Sequence, residues 1–274
     1  MRSKPIFLSA LLLAAGVVAG CTHAHPTKSR SFEVVRRFAA PEARQGVAVD
    51  ATHFYAIDNR GIAKYDKLTG RRDRAWAAGD RDSIIHLNSG TLIDGKLYCA
   101  HSNYPAVPMA SSIEVFDAQT LEHLGSQPLP NAVGSATWVE RVGAAWWVAF
   151  ANYDGRGGQP GRGSSATTLM RYDQSWQAQA GYTFPSEVID RFGSRSNSGG
   201  SWRNGLIYAT GHDAPEIYLL QLPAEGSELR LVDIVPAPIA GQGIAWDATE
   251  PGMLYGIIKQ TREVVVMREV DLSP

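Results

Sequence analysis

A fivefold internal repeat constrains this chain more than any other feature. Each copy begins in a Gly- or Ser-rich stretch and enters a short apolar strand. It then turns into a strand rich in Tyr, Trp and Ala, crosses a polar loop, and runs into a third strand that often closes on an aromatic residue and Asp. The first copy occupies 45–50, 54–58 and 62–66; the later copies start at Ser89, Ser135, Ser198 and Gly243. Most of these spacings lie near the ~40–45 residues of a four-stranded propeller blade. Asp94-Gly95 and Asn204-Gly205 mark tight hairpins, because both central positions of such turns need positive φ. Long amphipathic helices are absent. The expectation is an all-β fold, a five-bladed β-propeller. A β-sandwich explains neither the five similar units nor the incomplete last one.

That last unit decides closure. After residues 264–270 no fourth strand follows, while residues 32–38 form an alternating strand with no repeat of their own. They are predicted to supply the missing outer strand and remove an open sheet edge. The propeller domain is therefore placed at 32–274.

Residues 1–20 read as a secretory signal: Arg2 and Lys4, then an apolar run too short to span a bilayer comfortably. Val18-Ala19-Gly20-Cys21 resembles the lipobox of bacterial lipoproteins, which implies lipidation at Cys21 and a tether over 21–31. Thr22 after the cysteine implies, by the same resemblance, the outer membrane facing the periplasm. His23 and His25 are read as part of a solvated linker. Cys99, the only other cysteine, sits in an alternating strand and is expected to be buried, so the fold relies on its core. Removing 1–20 takes away two basic residues and no acid. The 26 basic and 27 acidic residues become 24 and 27, a net charge of −3 with His neutral. That balance argues against a nucleic-acid partner, which calls for a basic excess. The partners expected are the membrane, through the lipid, and a small molecule.

In a propeller, the starts of the innermost strands and the loops between second and third strands open on one face. Those positions here are filled by polar residues. His86, His101, His212 and Asp213 are the catalytic candidates, since a His titrates near neutrality and serves as acid, base or metal ligand. Gln45, Asn88, Asn103, Tyr104, Asn152, Asp154 and Gln242 are the candidate ligand contacts, with Tyr153 and Trp202 as further exposed aromatics. The alternative is that a wet tunnel needs polar lining in any case. No spacing matches a recognised metal motif, although Asp154 and Asp213 could orient a His of this set or share a metal with it, and the sequence leaves both metal and cofactor open. The glycine-rich run 155–163 reads as a mobile insertion whose Arg156 and Arg162 could clamp an anion.

Gln45-Gly46-Val47, Phe54-Tyr55-Ala56 and Tyr65-Asp66-Lys67-Leu68-Thr69-Gly70 together resemble the opening blade of the propeller-type glutamine cyclotransferases. The resemblance implies a five-bladed ring and small-molecule acyl or ring chemistry. The second unit departs from it: Leu87-Asn88-Ser89-Gly90 stands where the family tends to have Gly-Glu-Gly, so no acidic amine-binding group is carried over. Two functions remain open. One is a hydrolase, lactonase or cyclase at the channel mouth, which needs a His beside a carboxylate. The other is a non-catalytic binding propeller, which needs an exposed apolar or aromatic rim.

Overall fold

The structure is a computed structural model that describes residues 29–129 and 133–272. Residues 1–28, which hold the expected signal, Cys21, His23 and His25, lie outside the described residues. Five four-stranded antiparallel sheets form a five-bladed propeller. Blade one is β2 (Gly46–Val49), β3 (His53–Asp58), β4 (Gly61–Asp66) and β5 (Arg72–Ala77). Blade two is β6 (Leu87–Ile93), β7 (Lys96–Ser102), β8 (Ser111–Asp117) and β9 (His123–Pro128). Blade three is β10 (Ser135–Val142), β11 (Ala145–Ala151), β12 (Thr168–Tyr172) and β13 (Ala178–Thr183). Blade four is β14 (Gly199–Arg203), β15 (Leu206–Thr210), β16 (Glu216–Gln221) and β17 (Arg230–Pro236).

Blade five combines both ends of the chain: β18 (Ala245–Trp246), β19 (Met253–Ile258), β20 (Glu263–Leu272) and, outermost, β1 (Ser29–Ala39). The ladder runs from Ser29 opposite Leu272 to Ala39 opposite Glu263, with one slip between Val34 and Arg36. The strand thus begins earlier than the expected boundary at 32, because Ser29, Arg30 and Ser31 already pair with β20.

Local chemistry explains the repeat. Asp94 and Gly95 have φ of 50° and 74°, Asn204 and Gly205 of 51° and 77°, and each pair closes a two-residue hairpin. The aromatic-Asp strand endings are turn closures. Asp66 accepts hydrogen bonds from the backbone N–H of Leu68 and Thr69 and from the Thr69 hydroxyl. Asp117 does the same with Gln119 and Thr120. Such side-chain bonds mimic a backbone turn, and they hold both carboxyls below their ordinary range.

Each seam between neighbouring blades holds one buried apolar cluster. Cys99 is buried in the seam of blades one and two. Between blades three and four a short helix, α1 (Ser186–Phe192), inserts Val188, Ile189 and Phe192 into the seam. The repeat pattern carries no sign of it, because seven residues, about two helical turns, are too few to show a helical period of their own. At the axis, the innermost strands approach backbone to backbone. A methyl group on Gly46 would lie 2.7 Å from Ser89 Cα, and one on Gly243 would lie 2.6 Å from Gly46 Cα. Glycine is needed where backbones come this close.

Candidate functional site

Above this contact a cavity of about 810 Å³ opens at the channel mouth. All five blades line it, through the two kinds of junction expected. Blade one contributes Arg44, Gln45 and Asn59, and blade two His86, Asn88 and Tyr104. Tyr153, Asp154 and Arg156 come from blade three, and Arg195, Ser198 and His212 from blade four. Lys259, Gln260 and Arg262 come from the β19–β20 turn of blade five.

His212 is the best connected of these side chains. Its Nδ1 lies 2.7 Å from Asp213 Oδ2, and Lys259 Nζ lies 3.1 Å from Nε2. Arg195 approaches Nδ1 at 3.2 Å, and Lys259 also reaches Asp213 Oδ1 at 3.2 Å. In the neutral imidazole, the Asp213 contact places the proton on Nδ1 and leaves the lone pair on Nε2; the Lys259 ammonium lies over the ring, 3.2 and 3.1 Å from the two nitrogens. Burial lowers the His212 pKa; Asp213 opposes the shift, and Lys259 and Arg195 add to it. Burial likewise lowers Lys259, against the pull of Asp213. Asp213 is pushed up by burial, yet its contacts with His212 and Lys259 bring it below the ordinary carboxylate range. The loop is held from below by Gln242, whose Nε2 donates to the His212 carbonyl at 2.6 Å.

His86 stands across the mouth, its ring 4.9 Å from that of Tyr104, which in turn meets Tyr153 at 5.0 Å. Burial, then His101, Arg44 and His212, lowers the His86 pKa to about 4. Burial pushes Tyr153 up to about 12, against a hydrogen bond with Ser135. Gln45 donates to Asn59 Oδ1 at 2.6 Å, and Asn88 to the Ala136 carbonyl at 3.0 Å.

Several candidates take other positions. His101 is not at the cavity with His212. It lies on β7 two residues beyond Cys99, so alternation puts both on the blade face packed against blade one. There its Nδ1 meets Ser112 Oγ at 2.9 Å and Glu114 Oε1 at 3.6 Å, while Nε2 accepts the Ile85 N–H at 3.2 Å. Asn152 is buried, donating to the Val133 and Ala166 carbonyls. Asn103 closes its own loop through Pro108 and Ala110. Gln242 supports the His212 loop from beneath. The 155–163 segment is folded back onto the ring. Asp154 accepts from the Ser164 N–H and hydroxyl, and Arg162 donates to the Val133 carbonyl. Trp202 belongs to the seam of blades three and four. Arg44, Arg195 and Arg262 were not among the sequence candidates. Arg44 and Arg262 adjoin the polar positions at Gln45 and Gln260, and that adjacency is the signal that points to them.

No family sequence pattern and no curated protein matches this chain. Solved structures do match it. The Myxococcus xanthus glutaminyl cyclase superposes with a TM-score of 0.62 over 90% of this chain and 99% of its own, at 11% identity. The PQQ-bound aldose sugar dehydrogenase of Streptomyces coelicolor superposes with a TM-score of 0.50 over 90% of this chain and 100% of its own, also at 11% identity. The likeness is one of fold. The resemblance carried by the first repeat thus extends, as architecture, around the ring. The chemistry must be argued from the cavity itself.

Proposed function

We propose that the mouth cavity is the active site of a small-molecule hydrolase, lactonase or cyclase in which His212 is the general base. The observation that carries this reading is the contact of His212 Nδ1 with Asp213 at the cavity wall. Asp213 keeps the proton on Nδ1, and the lowered pKa keeps the ring neutral at pH 7. Nε2 takes a proton from the attacking water, or from an amine or hydroxyl of the substrate itself, and returns it to the leaving group. Lys259 and Arg195, within 3.2 Å of the imidazole, stabilise the negative charge that develops on the carbonyl oxygen.

The binding-platform alternative calls for a gathered apolar rim. The exposed large apolar side chains are spread instead over β1, the blade-one turn at Leu68, blade two and β10. The test is turnover of a panel of lactones, esters and N-terminal glutaminyl peptides by the purified protein. His212→Ala should lose at least about 100-fold in rate while keeping its circular dichroism spectrum. A substrate turned over equally well by wild type and His212→Ala overturns the assignment.

A further inference from the structure

We infer that the ligand of the mouth cavity is a small oxyanion, a carboxylate or a phosphate monoester, carried on a planar ring. The inference deepens the reading above and rests on the same cavity. Its first ground is charge. Arg44, Arg156, Arg195, Lys259 and Arg262 all line the cavity, and Asp154 is the acidic residue among the lining. The Asp154 carboxylate is already engaged by Ser164 at 2.7 and 3.0 Å. Two further carboxylates stand at the rim, and each is shared between two cations. Asp58 lies 3.8 Å from Arg44 and 3.4 Å from Arg262; Asp213 lies 3.5 Å from Arg195 and 3.2 Å from Lys259. Arg156 makes no ion pair among the described residues. Cations therefore outnumber carboxylates here, although the whole chain has a net charge of −1. A concave site lined by one sign of charge focuses its field on an opposite ion, and guanidinium groups match the geometry of carboxylate and phosphate.

The second ground is shape. The cations in contact with His212, Arg195 and Lys259, come from blades four and five. Blades two and three face them with the rings of His86, Tyr104 and Tyr153, whose neighbouring centroids are 4.9 and 5.0 Å apart. These rings offer a planar ligand edge and face contacts. The two walls together call for an anionic head on one side and a flat body on the other. The head has a further effect. Lys259 Nζ lies over the His212 ring, 3.2 and 3.1 Å from its two nitrogens; an anion that draws the ammonium to itself removes a positive charge that opposes protonation of the imidazole.

Isothermal titration calorimetry of the purified protein with naphthoate, naphthyl phosphate, naphthamide and acetate tests this. At least one of the two anionic rings should bind about tenfold tighter than naphthamide and acetate, with affinity falling as salt rises. The tighter of the two identifies the head group. Arg195→Ala and Lys259→Met, with unchanged circular dichroism, should each weaken it about tenfold. Naphthamide binding as tightly as naphthoate and naphthyl phosphate overturns the charge requirement, and acetate binding as tightly overturns the ring. Failure of both anionic rings to bind overturns the ligand class. His212→Gln separates the two readings: it should retain the anionic ring while losing turnover. Loss of turnover in His212→Gln from a wild type that binds neither anionic ring leaves the base assignment standing and overturns the ligand class alone.

Discussion

Lys67 of blade one and Asp247 of blade five form an ion pair at the seam that closes the ring, with side chains only 3% and 0% exposed. The Lys67 ammonium also donates to the Asp50 carbonyl at 3.1 Å, and Glu250 lies 3.3 Å away. Removing one partner strands the other charge out of water. Lys67→Met should therefore destabilise the fold by about 3–5 kcal/mol, whereas Lys67→Met with Asp247→Leu should recover much of that loss. Urea denaturation midpoints of the two variants and wild type measure it. Equal losses in the single and double variants would argue against a stranded charge.

Gly46 should not tolerate a side chain. Its added methyl meets Ser89 Cα, a backbone atom with no rotamer to turn aside. Gly46→Ala should cost about 1–3 kcal/mol, read as a lower thermal midpoint. An unchanged midpoint would mean that the axis is wider than described.

The loop 155–163 depends on Asp154. Asp154→Ala removes both bonds to Ser164, each with an ionised acceptor. Trypsin should then cleave after Arg156 and Arg162 about tenfold faster, with little change in melting temperature. Cleavage at the wild-type rate would show that other contacts hold the loop.

Stability should fall between pH 6.5 and 4, in part because of His86. The unfolded chain protonates this imidazole near 6.5, whereas in the fold it titrates at about 4. In that window the unfolded state binds a proton that the folded state refuses. The contribution of neutral His86 is complete above the unfolded value, declines as pH drops, and is gone below the folded one. It amounts to about 3 kcal/mol. His101 and His212 shift in the same direction, so His86→Gln should reduce the slope rather than abolish it. Urea midpoints at neutral and mildly acidic pH show whether it does.

Cys21→Ser should move the protein from the membrane fraction to the soluble one with its melting temperature unchanged, because the proposed lipid attachment lies outside the propeller. Retention of the variant in the membrane after a salt wash counts against the anchor.

The ring was legible in the sequence because its determinants are local and repeated. Asp-Gly and Asn-Gly fix the hairpins, Asp66 and Asp117 fold back on their own backbone, and the alternating strand at 32–38 lacked a partner that only the last unit was missing. The mouth was legible in outline for the same reason: the strand junctions at Gln45, His86, Tyr104 and His212, from blades one, two and four, open on one face of the ring.

Which side chains meet there was decided by the tertiary structure. His101 and His212 both sit where a second strand meets its loop. One extra step of strand pairing, Leu87 opposite His101, keeps His101 within the sheet, on the face it shares with Cys99. His212 falls just past β15 and turns to the axis. The cationic wall had no signal in the net charge of the chain, which is acidic; only the nearness of Arg44 and Arg262 to Gln45 and Gln260 pointed toward it. Arg44, Arg195 and the turn that carries Lys259 and Arg262 are three separate stretches of sequence, and charge adds up through space rather than along the chain. The sequence by itself determined the blades and their number, which follow from contacts between near neighbours, and the strand that closes them, which is the unrepeated strand left over for the one outer position the last repeat leaves empty. The field and the walls of the cavity exist only once the ring has closed, because they are made by residues that meet at no shorter range.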